Sequence, residues 1–166
     1  MILIILAVAT TATIITCTAT FWILTNHKIN INIKSKYSIF IMTNILDLLG
    51  RILISALFLL NGIFKISNFE GTISWMESFG LPGMFLIPAI ILEIAGPVLI
   101  IIGYKTKLAA GLLSLFCIAT AFIFHNDFAD QMQFTSFLKN IALAGGFLIL
   151  FINGAKSISL DNKFKK

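Results

Sequence analysis

Long apolar runs alternate with short polar segments along this chain, and the alternation predicts five membrane-spanning helices. A helix needs about 20 apolar residues to cross a bilayer, at a rise of about 1.5 Å per residue. The runs cover residues 2–24, 45–66, 84–103, 108–125 and 138–153. Because the last run is short, its helix is expected to begin before residue 138. The pattern predicts an all-α integral membrane protein: a four-helix transmembrane bundle plus one extra N-terminal transmembrane helix.

Composition supports a lipid environment. The 166 residues are 58% hydrophobic and only 11% charged, whereas a soluble domain carries about 25% charged residues. The net charge of +5 is scattered over short segments between the runs. It forms no basic face with interleaved aromatic residues, so it indicates membrane topology rather than nucleic-acid binding. The expected partner is the lipid bilayer.

The basic segments fall on one side of the predicted membrane. Segments 25–44, 104–107 and 154–166 hold most of the lysines, and the intervening segments hold the acidic residues Glu70, Glu77, Asp127 and Asp130. The positive-inside rule therefore predicts a multi-pass membrane protein with a cytoplasmic C-terminus. The tail, residues 154–166, is expected to be frayed.

The third run contains an unusual carboxylate. Glu93 lies about halfway along it, where an ionisable group is costly and is a functional candidate by default. Four residues later Pro97 lacks the N–H that would bond the carbonyl of Glu93, and Gly96 removes bulk from the same turn. A kinked helix with a carboxylate and a free acceptor at mid-membrane depth is predicted.

Two residues of the second run are candidate partners for Glu93. Asn61 and Lys65 share one helix face at i and i+4. Asn61 and Glu93 are expected at overlapping depths in the membrane, which makes a hydrogen bond between them feasible. The Lys65 side chain would then bend inward and provide a counter-charge. A neutral structural Glu93, an ionised and paired one, and a proton-exchanging one all remain open. Glu93, Asn61 and Lys65 form the candidate intramembrane polar site, and no catalytic residue is assigned.

Arg51 and His125 are secondary candidates. Arg51 precedes Lys65 by 14 residues, about 21 Å along a helix, and the favoured interpretation is an anchor that snorkels to cytoplasmic phosphates. His125 closes the fourth run, and the favoured interpretation is an interfacial histidine. A single histidine without a second histidine or thiolate at ligand spacing is a poor metal ligand, so no metal is predicted.

The sequence gives little support for catalysis by this chain alone. Cys17 and Cys117 lie in apolar runs without C-x-x-C spacing, which indicates inert thiols. No nucleophile–base pair or phosphate-binding loop is evident. Whether the chain is an enzyme is left open. Any oxidisable group is expected to come from a quinone, a substrate or a partner, with no cofactor bound covalently.

A block from about Asp47 to Ile152 resembles the DoxX family of small bacterial membrane proteins. The matching features, in chain order, are Arg51, Gly62 and Lys65, FGLPG at residues 79–83, Glu93 in LEIAG, IIIGYKTKLAAGLLSL and His125. The resemblance implies a four-helix bundle in the bacterial inner (plasma) membrane. Some relatives are assigned to thiosulfate:quinone oxidoreduction or to redox complexes that handle thiols.

The resemblance implies a membrane subunit or anchor of a quinone- or thiol-linked oxidoreductase system, which would hold a quinone or a partner enzyme near Glu93. The alternative is a small-solute or lipid transporter, or an assembly factor, without redox activity. Three domains are predicted: residues 1–41 as an extra helix and basic linker, 42–153 as the DoxX-like domain, and 154–166 as a cytoplasmic tail. Residues 1–41 are either an authentic anchor or an over-extended start upstream of Met42.

Overall fold

The computed structural model describes the backbone of residues 2–164 and the side chains of residues 35–164. Its helices are α1 (Ile2–Ser67), α2 (Phe69–Ser78), α3 (Leu86–Ile102), α4 (Thr106–Phe124), α5 (Gln131–Asn153) and α6 (Leu160–Lys163), with a 3₁₀ turn at Gly83–Phe85. No strand occurs between residues 2 and 164. Within residues 35–164, four segments are long and apolar enough to cross a membrane: Ser35–Ser67, Gly83–Ile102, Thr106–Phe124 and Gln131–Asn153. The predicted all-α membrane fold is confirmed.

The chain divides into two units, residues 1–43 and residues 44–166. Residues 25–44, which were expected to form a linker, are helical. The segment contains neither glycine nor proline, so nothing in it breaks a helix. The side chains of the predicted first span, residues 2–24, lie outside the described part, and its insertion in the membrane stays a prediction, as do the domain boundaries.

Helix α5 begins earlier than its apolar run, as expected. The Asp130 side chain caps the helix by accepting a hydrogen bond from the N–H of Met132, at 2.9 Å. An N-cap of this kind satisfies a backbone donor that the first turn otherwise leaves free. The polar first turns bring the helix to 23 residues, which is enough to span a bilayer.

The core of residues 44–166 lies where α4 packs on α5. Small residues allow the approach: Ala109 and Ala110 on α4 and Ala144 on α5 are buried. The Ser114 hydroxyl donates to the carbonyl of Ala144, at 3.1 Å. Small side chains and short interhelical hydrogen bonds are the usual means of holding helices together in lipid, where the hydrophobic effect is weak.

Helix α1 joins this core through one aromatic pair and one glycine. Phe58 of α1 meets Phe147 of α5 edge to face, with ring centroids 5.2 Å apart. A Cβ atom at Gly146 would lie 2.9 Å from Ile54 Cδ1, so this glycine permits the α1–α5 contact. A Cβ atom at Gly145 would meet no other atom within 4 Å. Of the two glycines, Gly146 is therefore the one that serves helix packing here.

Arg51 is not a snorkelling anchor, and that interpretation was wrong. Its side chain is 1% exposed. Its guanidinium donates to Asp47 Oδ2 at 3.1 Å, to the carbonyls of Ile100 and Ile101 at 3.0 Å each, and to the carbonyl of Ile158 at 2.5 Å. Carbonyls at the end of a helix lack intrahelical partners, and a planar guanidinium can satisfy several of them at once. Arg51 therefore clamps α1, the end of α3 and the tail together.

The tail is not frayed through residue 164, because its backbone and side chains bind the α3–α4 turn. The Asp161 carboxylate accepts from the N–H groups of Lys105 and Thr106, at 2.8 and 2.9 Å, at the start of α4. The N–H of Asp161 donates to the carbonyl of Gly103, at 2.7 Å. Gly103 has φ of +70°, and a Cβ there would collide with Ser159. The turn and tail thus form one hydrogen-bonded unit.

We predict that Arg51→Lys lowers the stability of the bundle by about 1–3 kcal/mol, because a single ammonium cannot reach all the acceptors and leaves buried carbonyls unsatisfied. Thermal unfolding in detergent measures the loss. Lys139→Gln, which alters an exposed cation of α5, is the matched control and should unfold at the wild-type temperature. An Arg51→Lys variant as stable as the control would show that the clamp does not hold the fold.

Candidate functional site

An ion pair joins α1 to α3 inside the apolar part of the bundle. Lys65 Nζ lies 2.5 Å from Glu93 Oε1. The Glu93 side chain is 3% exposed and that of Lys65 is 24% exposed. The structure thus forms the contact with Lys65 that the sequence suggested as a counter-charge. A buried carboxylate of this kind needs such a partner, because desolvation otherwise disfavours its charge.

Gly62 brings the two helices close enough for this pair. A Cβ atom at Gly62 would lie 2.9 Å from Ile94 Cγ1 and 3.4 Å from Glu93 Cβ. The glycine precedes Lys65 by three residues, so both lie on one face of α1. Helix α3 runs through Pro97 without interruption. The Gly-x-x-Lys spacing therefore has a physical meaning: the glycine seats α3, and the lysine reaches back to its carboxylate.

The second oxygen of Glu93 is left free. Oε2 is buried and has no hydrogen-bond partner among the described residues. Lys65 Nζ is directed to Oε1 and also lies 5.7 Å from the centre of the Phe116 ring. That arrangement combines an ion pair with a cation–π contact. The carboxylate therefore keeps one unused acceptor inside the bundle.

Asn61 does not form the expected hydrogen bond with Glu93. Within residues 35–164 the only side chain that bonds Glu93 is Lys65. Asn61 is exposed at the surface of a cavity whose wall also includes Glu93. The longer lysine side chain reaches the carboxylate from one turn further along α1, and the shorter amide does not. Depth made that pairing feasible, but the described residues do not form it.

The ion pair forms part of the wall of a cavity of about 550 Å³. Most of the wall is aliphatic or aromatic and comes from α1, α2, α3 and α4, whereas α5 contributes only Asn140. The polar residues of the wall are Asn61, Lys65, Thr72, Glu93, Thr120, His125 and Asn140. An apolar chamber with a few convergent polar groups is the usual form of a small-molecule site. We call it the Glu93 cavity.

Helix α2 forms part of the wall of the Glu93 cavity. Thr72, Trp75 and Met76 line the wall at helical spacing. Trp75 stacks on Phe124 of α4, with ring centroids 4.5 Å apart and planes at 27°, and Phe79 meets both rings edge on. The sequence analysis assigned no cavity role to α2. The spacing of Thr72, Trp75 and Met76 at i, i+3 and i+4, which places them on one helix face, was the signal that pointed to one.

His125 and Arg51 lie apart from the ion pair. His125 lines the Glu93 cavity near α2, and its Nδ1 lies 2.7 Å from Gln133 Oε1. Arg51 lines a second cavity of about 580 Å³ with Asp47 and Lys156. The part of the chain with described side chains holds no group of three or more His, Cys, Asp or Glu side chains suited to a metal ion. The structure therefore places Asn61, Lys65, Glu93 and His125 on one cavity and Arg51 elsewhere.

Asn140 of α5 and Thr120 of α4 also line the Glu93 cavity, and the sequence analysis did not select either residue. Asn140 is an amide inside the last apolar run, two residues after its start. A polar side chain in a predicted span is a signal in itself, since such groups generally face the bundle interior or a cavity. Both residues join the candidate site.

Comparison with known proteins gives a consistent picture. A family model described as DoxX matches residues 46–126. The chain is 39% identical over 119 residues to the Inner membrane protein YqjF of Escherichia coli, covering 72% of this chain and 92% of that protein. It is 34% identical over 126 residues to the Inner membrane protein YphA of Escherichia coli, covering 72% and 90%.

A third relative has a different kind of name. The chain is 32% identical over 68 residues to the "Putative oxidoreductase CatD" of Bacillus subtilis. The matched region covers 41% of this chain and 51% of that protein. No solved structure matches the chain.

We predict that Gly62→Leu separates α1 from α3 and lowers stability by about 1–3 kcal/mol, the usual cost of overpacking. Thermal unfolding of the full chain in nanodiscs measures the change. Gly145→Leu is the control, because a Cβ at Gly145 meets no atom within 4 Å, and it should shift stability by less than about 0.5 kcal/mol. Equal effects of the two substitutions would contradict the close approach at Gly62.

Proposed function

The chain belongs to the DoxX family of membrane proteins, and from this membership we propose that it is the membrane subunit or anchor of an oxidoreductase system that uses a quinone or a thiol-linked partner. It is a multi-pass inner membrane protein, as the names of its relatives and its spanning helices indicate. The relative from Bacillus subtilis that carries the word oxidoreductase in its name supports the redox part of the proposal.

The observation that carries the proposal is the Glu93 cavity. Its volume of about 550 Å³ lies within the range of about 300–1,000 Å³ that small-molecule sites occupy. Its apolar walls suit the ring and isoprenoid chain of a membrane quinone. Lys65, Asn61 and Asn140 carry donors for carbonyl oxygens. The residues present therefore fit a quinone.

The chain's own contribution is to hold and orient such a carrier. A quinone supplies the two-electron, two-proton chemistry when it is bound, and a partner enzyme exchanges the electrons. Lys65 and Asn61 offer hydrogen-bond donors at the cavity wall, and Phe116 lies beside the lysine. Helix α2 adds Trp75 and Met76 to the wall, and Trp75 stacks on Phe124 there.

A second candidate function is the movement of a small solute or lipid without redox change. The second cavity, of about 580 Å³, favours this function. Ile54 lines the second cavity, and Phe58, one turn later on α1, lines the Glu93 cavity. The two cavities therefore have lining residues within one helical turn of each other along α1. Solute flux in liposomes that proceeds without any oxidant or reductant would support this alternative.

We further propose that the C-terminus is cytoplasmic, since the α3–α4 turn and the tail carry Lys105, Lys107, Lys156 and Lys163. In a background with Cys17→Ala and Cys117→Ala, a membrane-impermeant thiol reagent applied to spheroplasts should label Glu77→Cys. The same reagent should label Lys163→Cys only after the membrane is opened. Labelling of Lys163→Cys in sealed spheroplasts would reverse the orientation.

We predict that decyl-benzoquinone or its hydroquinone quenches the fluorescence of Trp75 in a saturable manner. Trp75 lines the Glu93 cavity, and Trp22→Phe leaves it as the sole tryptophan, since the chain has two. The measurement uses the full chain in nanodiscs. Trp75→Phe, which retains Trp22, is the control and should show only the linear quenching of a lipid-dissolved compound. Linear quenching in both variants, with no quinone in lipid extracts of the purified protein, would defeat the quinone proposal.

A further inference from the structure

We propose that the second cavity, which Arg51 lines, binds an anionic phospholipid from the leaflet on the side of the tail. One acyl chain lies between α1 and α5, and the phosphate lies beside Lys156 and Lys107. The proposal goes beyond the proposed function and does not rest on it. The observation that carries it is the order of the cavity's lining residues, which change from apolar to basic where the spanning segments end.

The deeper part of the second cavity is apolar. Its lining residues there are Ile54 of α1 and Ile149 and Leu150 of α5. These side chains belong to the first and the last of the four spanning segments. A water molecule needs polar partners, which these side chains do not supply. An acyl chain restores the dispersion contacts that an empty space would forfeit.

A glycine leaves space for such a chain beside α1. Gly50 lines the second cavity, and a Cβ atom there would meet no atom of the described residues within 4 Å. One turn further along α1, Ile54 touches α5, because a Cβ at Gly146 would lie 2.9 Å from Ile54 Cδ1. The space between the two helices is therefore closed at Ile54 and open at Gly50, nearer to the tail.

The shallow end of the cavity is basic. Lys156 lines it just beyond the end of α5, and its exposed ammonium forms no ion pair within residues 35–164. Lys107 Nζ donates to the carbonyl of Ile152, at 2.7 Å. The Lys107 Cε atom packs on Gly154, which also lines the cavity. An ammonium has three N–H donors, so Lys107 keeps donors for a further acceptor.

The acidic residue of the cavity wall does not oppose an anion, because its charge is already compensated. Asp47 Oδ2 accepts from Arg51 Nε and from the N–H of Lys156, each at 3.1 Å. Arg51 is 1% exposed and shares its other donors among backbone carbonyls, so it does not itself bind the phosphate. With Asp47 and Arg51 balanced, Lys156 leaves the cavity with a positive charge, and Lys107 adds a second beside it.

One class of ligand matches both parts of the cavity. A free phosphate contacts the two lysines and leaves the apolar part unfilled. A zwitterionic phospholipid fills the apolar part but brings its own ammonium to the lysines. An anionic phospholipid satisfies both parts, and basic pockets between helices near a membrane face are known sites for such headgroups. Each lysine near an anionic headgroup contributes about fivefold in affinity.

Native mass spectrometry of the full chain tests the proposal. The chain is released from nanodiscs that contain equal amounts of dioleoyl-phosphatidylglycerol and dioleoyl-phosphatidylethanolamine, and the retained lipids are counted. We expect one phosphatidylglycerol to be retained at least about tenfold more often than phosphatidylethanolamine. Equal retention of the two lipids, or retention of neither, would overturn the proposal. So would a second copy of the chain in place of a lipid, or an inorganic phosphate adduct without lipid retention.

Gly50→Leu tests the apolar part of the cavity. The new side chain enters space that the described residues leave empty, so it should abolish lipid retention without a clash. Leucine also favours a helix more than glycine does, so the variant should fold, which thermal unfolding in the same nanodiscs checks. Gly145→Leu is the control, because its Cβ also meets no atom within 4 Å and it lines neither cavity. A folded Gly50→Leu variant that retains phosphatidylglycerol like the control would overturn the proposal.

Lys156→Gln tests the basic end. The preference for phosphatidylglycerol over phosphatidylethanolamine should fall about fivefold, because one of the two cations is lost. Lys139→Gln removes another exposed cation, near the opposite end of α5, and should leave the preference unchanged. The side chain of Lys156 makes no contact that holds the fold, so the variant reports on binding alone. An unchanged preference in Lys156→Gln would overturn the placement of the phosphate and with it the proposal.

Discussion

Inside a bilayer a carboxylate can be kept charged only if a cation is brought to it, and in this protein Lys65 on α1 comes to Glu93 on α3. The requirement constrains the surrounding structure. The lysine is close enough because Gly62 lets the two helices approach. Its ammonium is further accommodated by the ring of Phe116 on α4. The walls of the Glu93 cavity are therefore arranged around one ion pair, and its unused carboxylate oxygen follows from the geometry of that pair.

Helix α1 is attached to α3 by a second polar contact, the Arg51 clamp, some 14 residues earlier along the chain. The clamp and the ion pair together determine how α1 sits along α3 between residues 51 and 65. Apolar packing gives little directional preference in lipid, whereas hydrogen bonds and ion pairs have defined geometry. The tail contributes because its Ile158 carbonyl completes the set of Arg51 acceptors. Contacts at the α3–α4 turn thereby help to set the geometry around Glu93.

The sequence predicted the features of the fold and of the candidate site that depend on short-range patterns of apolar and polar residues. Apolar runs located the spans, and the single deep carboxylate located Glu93. The Arg51 clamp was missed because three of its four acceptors are backbone carbonyls 49, 50 and 107 residues away, and backbone groups carry no sequence signal. The choice of Lys65 over Asn61 as the partner of Glu93 required side-chain reach in three dimensions, which helical spacing alone does not provide. The cavity required the relative placement of five helices, which the runs do not specify.

A purely structural explanation of Glu93 has to account for its cost. Replacing a buried ion pair by apolar side chains of similar volume is often neutral or stabilising, and this chain is rich in such side chains. The clamp at Arg51 satisfies its acceptors, as a structural contact does, whereas Glu93 leaves Oε2 without a partner in the described structure. A bundle that needed only cohesion between α1 and α3 would gain more from a fully satisfied contact or from none. Cohesion between α1 and α3 alone therefore does not explain the unsatisfied oxygen.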